Sequence, residues 1–387
     1  MGFVYRRTGI ALVLAGLAAA PLRAAQAPNV RVAGRVQAHY RNAFGDSTAA
    51  FPGTGVNNSF EIRRLRMQTD VRFGDYINLS IQPSFEMGAL RMRDAFLRVG
   101  FGPRVGLTIG QEKSPFQRYE LTSSNNLLTI ERGVRILGLS GREALNDLLF
   151  NNGYVSHDLG AFVDYTGPRA SVKLGIQNGS RESAADVNNA KSFFGRATAV
   201  LIRDKDDQAV FQIGASFAAR DRAVCSTCTA APAYHADSSL RSAAVGVDVE
   251  WGGFRPGLHV IADVVTGDNV PAALRIGAGR NLANVRNSAD SNLVTFRGAH
   301  IVAAYRIVTS GDDARTVKFI EPALRVDATD PDADVDGDFG LLITPAVSVY
   351  FGATVVGRFA FDVYRYRDAV GATHTANELK ISWQANF

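Results

Sequence analysis

Leu379-Lys380-Ile381-Ser382-Trp383-Gln384-Ala385-Asn386-Phe387 closes the chain, and apolar and polar residues alternate along it without a break. Leu379, Ile381, Trp383, Ala385 and Phe387 share one face, and Lys380, Ser382, Gln384 and Asn386 share the other. A period of two is the mark of a β-strand with one apolar side. The same pattern recurs throughout the sequence. Val30, Val32, Val36 and Tyr40 oppose Arg31, Arg35, Gln37, His39 and Arg41. Leu65, Met67, Thr69, Val71 and Phe73 oppose Arg64, Arg66, Gln68, Asp70 and Arg72, and Ile77 to Phe85 oppose Asn78 to Glu86. Shorter runs follow at 95–101 and 105–110, then near 159–166, 169–178, 192–202, 208–220, 240–252, 256–267, 293–307, 316–328, 338–351 and 353–366. With 379–387 the set numbers about sixteen strands, an even number as single-chain bacterial membrane barrels require.

The connections are sorted by length. Gly74-Asp75, Gly102-Pro103, Thr166 to Pro168, Arg203 to Asp207, Gly252-Gly253, Thr309 to Asp313 and Gly352 are short. The alternate ones, at 42–58, 112–157, 179–191, 221–239, 268–292, 329–337 and 367–375, are long, with 88–90 the exception. A transmembrane antiparallel up-and-down β-barrel has short turns at one end and long loops at the other. A soluble sandwich has no reason to sort its connections this way. The apolar faces then look at lipid, and the polar faces at a wet lumen.

The amino terminus agrees with export. Arg6 and Arg7 precede an apolar run from Ile10 to Ala20, and small residues follow at Ala24, Ala25 and Ala27. This reads as a secretory signal over residues 1–25, cut between 24 and 27, with the barrel over 28–387. Barrel precursors travel unfolded, so an ordinary Sec signal is expected rather than a twin-arginine one. No later apolar run approaches the ~20 residues of a membrane helix. The chain carries 42 Lys and Arg against 37 Asp and Glu, and only six of the 42 are Lys. Arginine keeps its charge at any working pH and offers oxyanions a planar fork of donors.

The longest connection reads Gly110-Gln111-Glu112-Lys113-Ser114-Pro115-Phe116, then Glu120-Leu121-Thr122-Ser123-Ser124, then Leu127-Leu128-Thr129-Ile130-Glu131-Arg132. This resembles the G-Q-x-K-x-P-F … E-L-T-S-S … F-I-E-R pattern of the phosphate-selective porin O and P family. Phe60 to Arg66 resembles the family's F-x-x-R-R-A-R, and Arg91 to Leu97 its L-K-D-A-Y-L. Gln177 to Ser180 and Phe194 to Ala199 match in kind, and the likeness is sharpest over about 60–132. The closing strand on a terminal aromatic likewise resembles the last strand of outer-membrane barrels, which the barrel assembly machinery reads.

The resemblance implies a trimeric porin in the outer membrane of a Gram-negative bacterium, with its third external loop folded inward as a constriction. The expected function is passive, anion-selective diffusion of phosphate or similar small anions through an arginine-lined lumen. Outer-membrane lipid and lipopolysaccharide surround it, and no nucleic-acid partner, cofactor, metal or catalytic residue is expected. Pore-lining candidates from the motifs are Arg63, Arg64, Arg66, Lys113, Arg132 and Arg196, and from the alternation Arg31, Arg35, Arg72 and Arg98. Charge on the lipid face would cost ~2–4 kcal/mol at midplane, which directs these side chains inward. The competing role for them is structural, pairing with Asp70, Glu86, Asp94 and Glu131 to pin the loop. The scarcity of Lys speaks against a lysine-rich phosphate ladder, so a general or other-substrate diffusion porin is the alternative.

Rival classes are a structural or adhesin barrel and an outer-membrane barrel enzyme. An enzyme would need a His beside a nucleophile at the rim, and the sequence suggests no such pair. Cys225 and Cys228 are expected to form a local loop disulfide, since zinc wants four ligands and only His235 is near. Asp332 to Gly337 copies the opening of a calcium loop, but its twelfth position is Ile343 rather than Glu, so a solvated acidic loop is expected. His39, His259 and His300 fall on lumen faces and read as wet polar residues.

Overall fold

In the computed structural model the chain forms a single closed barrel of sixteen antiparallel strands. The residues described are 27–45, 58–86, 88–134, 144–182, 184, 186, 190–224, 238–269, 294–309, 316–352, 354–367 and 372–387. The expected signal segment, residues 1–25, and Cys225 and Cys228 lie outside them. The first eight strands are β1 Asn29–Gly45, β2 Asn58–Phe73, β3 Ile77–Glu86, β4 Ala89–Phe101, β5 Val105–Lys113, β6 His157–Thr166, β7 Ala170–Gln177 and β8 Ser192–Arg203. The second eight are β9 Ala209–Val224, β10 Ser238–Trp251, β11 Gly257–Asn269, β12 Val294–Val308, β13 Val317–Asp330, β14 Gly340–Phe351, β15 Val355–Arg367 and β16 Thr373–Asn386. All sixteen periodic segments are strands, and every strand pairs with its sequence neighbours.

The closing strand extends further toward its amino end than its apolar alternation suggests, because Thr373 to Glu378 still pairs with β15 although its outer face is polar. Closure is made by β1 against β16, in register from Arg35 opposite Asn386 to Gly45 opposite Ala376. Beyond the last ladder pair, Gly34 and Phe387 exchange backbone hydrogen bonds in both directions, at 2.8 and 2.9 Å. The Phe387 ring lies directly over Gly34, where a Cβ would come within 2.3 Å of it and 2.9 Å of the Arg66 carbonyl oxygen. Only glycine permits this approach. At the short turn after β4, Gly102 has φ +81°, a left-handed conformation that costs glycine nothing.

The two faces divide as the alternation requires. Val30, Val32, Ile62, Met67, Ile109, Val163, Val247, Val264, Leu324 and Trp383 are exposed on the outside. Arg35, Gln37, His39, Arg41, Arg64, Arg325, Arg358 and Lys380 are buried within. One irregularity changes the site. Gln37 faces Arg64 but Ala38 faces Ile62, so Arg63 is the extra residue of a β-bulge. Bulges re-aim a side chain, and this one lets two adjacent residues, Arg63 and Arg64, both reach the lumen.

Between β5 and β6 the described residues 114–134 and 144–156 pack against the inner wall of the barrel and include the helices α1 Arg118–Leu121 and α2 Leu145–Asn152. Phe116, Leu145, Leu148, Leu149, Tyr154 and Val155 pack on Phe194, Ala218, Ala244, Val265 and Phe296 of the wall. Tyr119, Leu127 and Leu128 pack on Ile261, Val302, Ala304 and Ala323. Each fully buried large apolar side chain contributes roughly 1.5–3 kcal/mol. The barrel's core is therefore the interface between one wall and its own loop. Gly298 on β12 makes room for it, since a Cβ there would meet Leu145 Cδ1 at 2.6 Å.

Two expectations about polar groups need correction. His39, His259 and His300 do face inward but are buried rather than wet, His300 against Tyr119 of the loop and His259 against Phe254. Asp332 and Asp338 are buried and only Asp334 and Asp336 stand exposed, so the acidic loop is half enclosed.

Gly34→Ala should hinder closure, because the added methyl must displace either the Phe387 ring or a backbone carbonyl. Overpacking of this kind costs about 1–3 kcal/mol. The fraction of unheated protein migrating as folded barrel on a gel should fall, and a wild-type fraction would show that the ring moves freely.

Candidate functional site: the lumen beside the inward loop

The loop's polar groups are bound to inward-facing side chains around much of the wall. On β9 to β11, the Gln117 N–H donates to Ser216 Oγ at 3.2 Å and the Arg118 N–H to Asp263 Oδ1 at 3.0 Å. The Arg118 guanidinium pairs with Glu250. Those anchors are themselves held by histidines: His259 Nε2 lies 3.2 Å from Glu250 Oε1, and His300 Nδ1 lies 3.2 Å from Asp263 Oδ2. The His300 ring also stacks at 4.1 Å on Tyr119. From β13, Arg325 donates to the Glu131 and Arg132 carbonyls while its Nε donates to Asp327 at 2.8 Å. Buried backbone must find partners, and here the lumen wall supplies them.

On the β1–β2 side, Glu131 of the loop receives both bulge arginines, Arg63 Nε at 2.6 Å and Arg64 Nη2 at 2.8 Å. Arg66 pairs with Glu86 and donates to Ser124 Oγ at 3.3 Å. Lys113 and Arg132 converge on Glu120, at 2.9 and 3.3 Å, and Asn146 adds a hydrogen bond at 3.1 Å. Burial alone would raise the Glu120 pKa, but Lys113 and Arg132 outweigh it and hold the carboxyl down at about 2. Asp147 on α2 behaves oppositely. It accepts the Val134 N–H at 2.5 Å, and enclosure within the barrel pushes it up to about 6.

A cavity of about 780 Å³ remains between the loop and the wall from β1 to β8. Seven cations line it, Arg35, Arg66, Arg98, Lys113, Arg132, Lys173 and Arg196, against three carboxylates, Asp94, Glu112 and Asp164. Six of the seven are paired: Arg66 with Glu86, Arg98 with Asp164 at 2.6 Å, Lys113 and Arg132 with Glu120, Lys173 with Glu112 at 2.6 Å, and Arg196 with Asp248. Arg35 differs. Its guanidinium donates to Asn125 Oδ1 and to Ser124 Oγ, the latter at 2.7 Å, with no carboxylate at ion-pair distance among the described residues.

Of the ten sequence-derived positions, Arg35, Arg66, Arg98, Lys113, Arg132 and Arg196 line this cavity. Arg63 and Arg64 sit behind it on Glu131, and Arg31 and Arg72 stand exposed toward the short-turn end of β1 and β2. Lys173, Arg325 and Arg358 were missing from that set. Their inward parity was readable in the alternation, but no motif drew attention to them.

A family model described as phosphate-selective porin O and P matches residues 30–222. The chain belongs to this porin family. Three solved structures share its fold. The outer membrane channel DcaP of Acinetobacter baumannii is 12% identical over 93% of this chain and 97% of its own, with a TM-score of 0.60. An anion-selective porin from Comamonas acidovorans is 10% identical over 93% of this chain and 100% of its own, also at 0.60. OmpT, an outer-membrane protein of Vibrio cholerae, is 10% identical over 94% and 98%, at 0.54. No curated protein sequence matches the chain. The protein is accordingly an outer-membrane porin of a Gram-negative bacterium, and its family and fold point to a channel.

Glu131→Gln should release the loop from β2, because the buried Arg64 and the half-buried Arg63 lose their shared counter-charge. Breaking one side of a buried pair costs about 3–5 kcal/mol, and limited proteolysis within the loop of this porin should accelerate accordingly. Asp147 predicts a pH effect of definite sign. Its folded pKa lies above the unfolded one, so its contribution is full below about pH 4 and is lost as pH rises through about 6. Asp147→Asn should remove that part of the thermal-stability profile between pH 4 and 6. An unchanged slope there would discount Asp147.

Proposed function

We propose that the porin passes small anions, phosphate among them, along the cavity beside the inward loop. The observation that carries this reading is the excess of lining cations over lining carboxylates, seven to three. The family's description and the named selectivity of the Comamonas acidovorans neighbour point the same way. We further assign residues 1–25 as a cleaved signal and the homotrimer as the working assembly, inside lipid and lipopolysaccharide after delivery by the barrel assembly machinery.

The physical account is one of partial dehydration. An anion entering the cavity exchanges some of its water for guanidinium and ammonium N–H groups, which are strong charge-assisted donors. Conduction also requires release, so each contact must stay weak and several must follow one another. Arginines already engaged with carboxylates suit that need, because they offer their outer N–H groups with their charge partly compensated. The same pairing favours a second reading. With six of the seven cations paired to five carboxylates, discrimination among anions would be shallow, and the pore would serve as a general anion-preferring diffusion channel.

Reversal potentials in a potassium chloride gradient test both readings. The wild-type porin should prefer chloride, and cation preference would defeat the anion reading outright. Added phosphate should then depress the chloride current at concentrations far below the chloride present. Chloride current indifferent to phosphate would leave the anion channel standing and support the general reading.

A further inference from the structure

Arg358 lies on β15, beyond the residues matched by the family model and outside every motif the sequence offers. It is 2% exposed, on the inner face of the wall. Its Nη1 donates to Gln384 Oε1 at 2.9 Å, and its Nη2 to the backbone carbonyl of Asn125 at 2.9 Å. Its Nε is buried without a hydrogen-bond partner, and no carboxylate stands at ion-pair distance among the described residues. Arg35 approaches the same loop residue from β1, through the Asn125 side chain, and its Nε is also buried without a partner. Asp362 on the same strand is committed to Lys380 and Glu378 on β16 to Arg41, and on the Arg35 side Glu86 is held by Arg66 and Arg93.

A buried charge is normally compensated, since desolvation makes an unpaired one costly. Two uncompensated guanidiniums on one loop residue are therefore not an ordinary structural clamp. A neutral donor could hold the Asn125 carbonyl equally well. We propose that Arg358 is a positioning residue for the tip of the inward loop and that, together with Arg35, it makes Ser124-Asn125 the locus of un-neutralised positive charge beside the pore. Asn125 and Arg35 line the cavity while Arg358 sits behind them, so Arg358 acts through the loop tip and through its field. Arg63 and Arg64, although they carry the family motif, each stand on a carboxylate, sharing Glu131 with Glu86 3.7 Å from Arg63, and contribute less to selectivity.

The inference rests on the anion reading above, and the experiment separates the two. Chloride-to-potassium permeability ratios are measured for wild type, Arg358→Gln, Arg358→Lys and Arg64→Gln, each first checked for folded migration on an unheated gel. Arg358→Gln should lower the ratio roughly twofold or more, the effect of one unit charge removed several ångströms from the path in water. Arg358→Lys keeps the charge but not the double hydrogen bond, so it should keep the ratio while open-channel noise rises as the tip loosens. Arg64→Gln should change the ratio less than Arg358→Gln does. A wild-type ratio in Arg358→Gln overturns the proposal, and so does a lost ratio in Arg358→Lys. If Arg358→Gln fails to assemble, the lysine variant alone decides. Cation preference in the wild type would instead remove the anion reading.

Discussion

Every structural feature of this porin depends on closing the hydrogen-bond ladder between β1 and β16. In hydrocarbon an unpaired backbone N–H or C=O costs several kcal/mol, so a sheet can cross a membrane only when it has no edge. The first and last strands meet over eleven paired positions, and Gly34 and Phe387 extend the pairing to the end of the chain. Closure fixes which way every side chain points, because parity propagates from strand to strand. The outward aliphatic surface and the inward charge are two consequences of one geometric condition.

The enclosed volume creates the second problem, which is how a polar lumen holds a long loop in place. Apolar packing from Phe116, Leu145, Leu148, Leu149 and Tyr154 docks one side against β8 to β12. The other side is held by charge, with Glu131 and Glu120 of the loop each gathering two cations. Buried ion pairs add little net stability, but breaking one is costly, so they specify position better than they stabilise it. This division suits a pore, where the loop must stay in register beside water. The lumen histidines belong to the same scheme, since His259 and His300 support the carboxylates that hold Arg118.

For transport, the consequence is that counting arginines overstates the field an ion meets. Most of the lumen guanidiniums serve as structural cations with a carboxylate already in place, and the cavity's net charge is set by the few that lack one. Selectivity and architecture thus draw on the same residue type, separated only by what each guanidinium touches. Arg196 of β8 with Asp248 and Arg35 of β1 with Asn125 illustrate the two cases seven strands apart.

The sequence alone determined the barrel, its sixteen strands and the inside or outside placement of most side chains, because period-two alternation is a local property read one strand at a time and fails only where a bulge shifts it, as before Arg64. The resemblance carried by the Lys113 to Arg132 motif implied which loop turns inward. The sequence could not show that Arg63 and Arg64 share Glu131, since that needs a bulge in β2 and a loop arriving from 67 residues or more further along the chain. Nor could it separate neutralised from un-neutralised arginines. Arg35 and Arg358 lie 323 positions apart and meet at Asn125 only because the barrel closes and the loop folds in between. Charge compensation acts through space at a few ångströms, and only the tertiary structure decides which charges come that close.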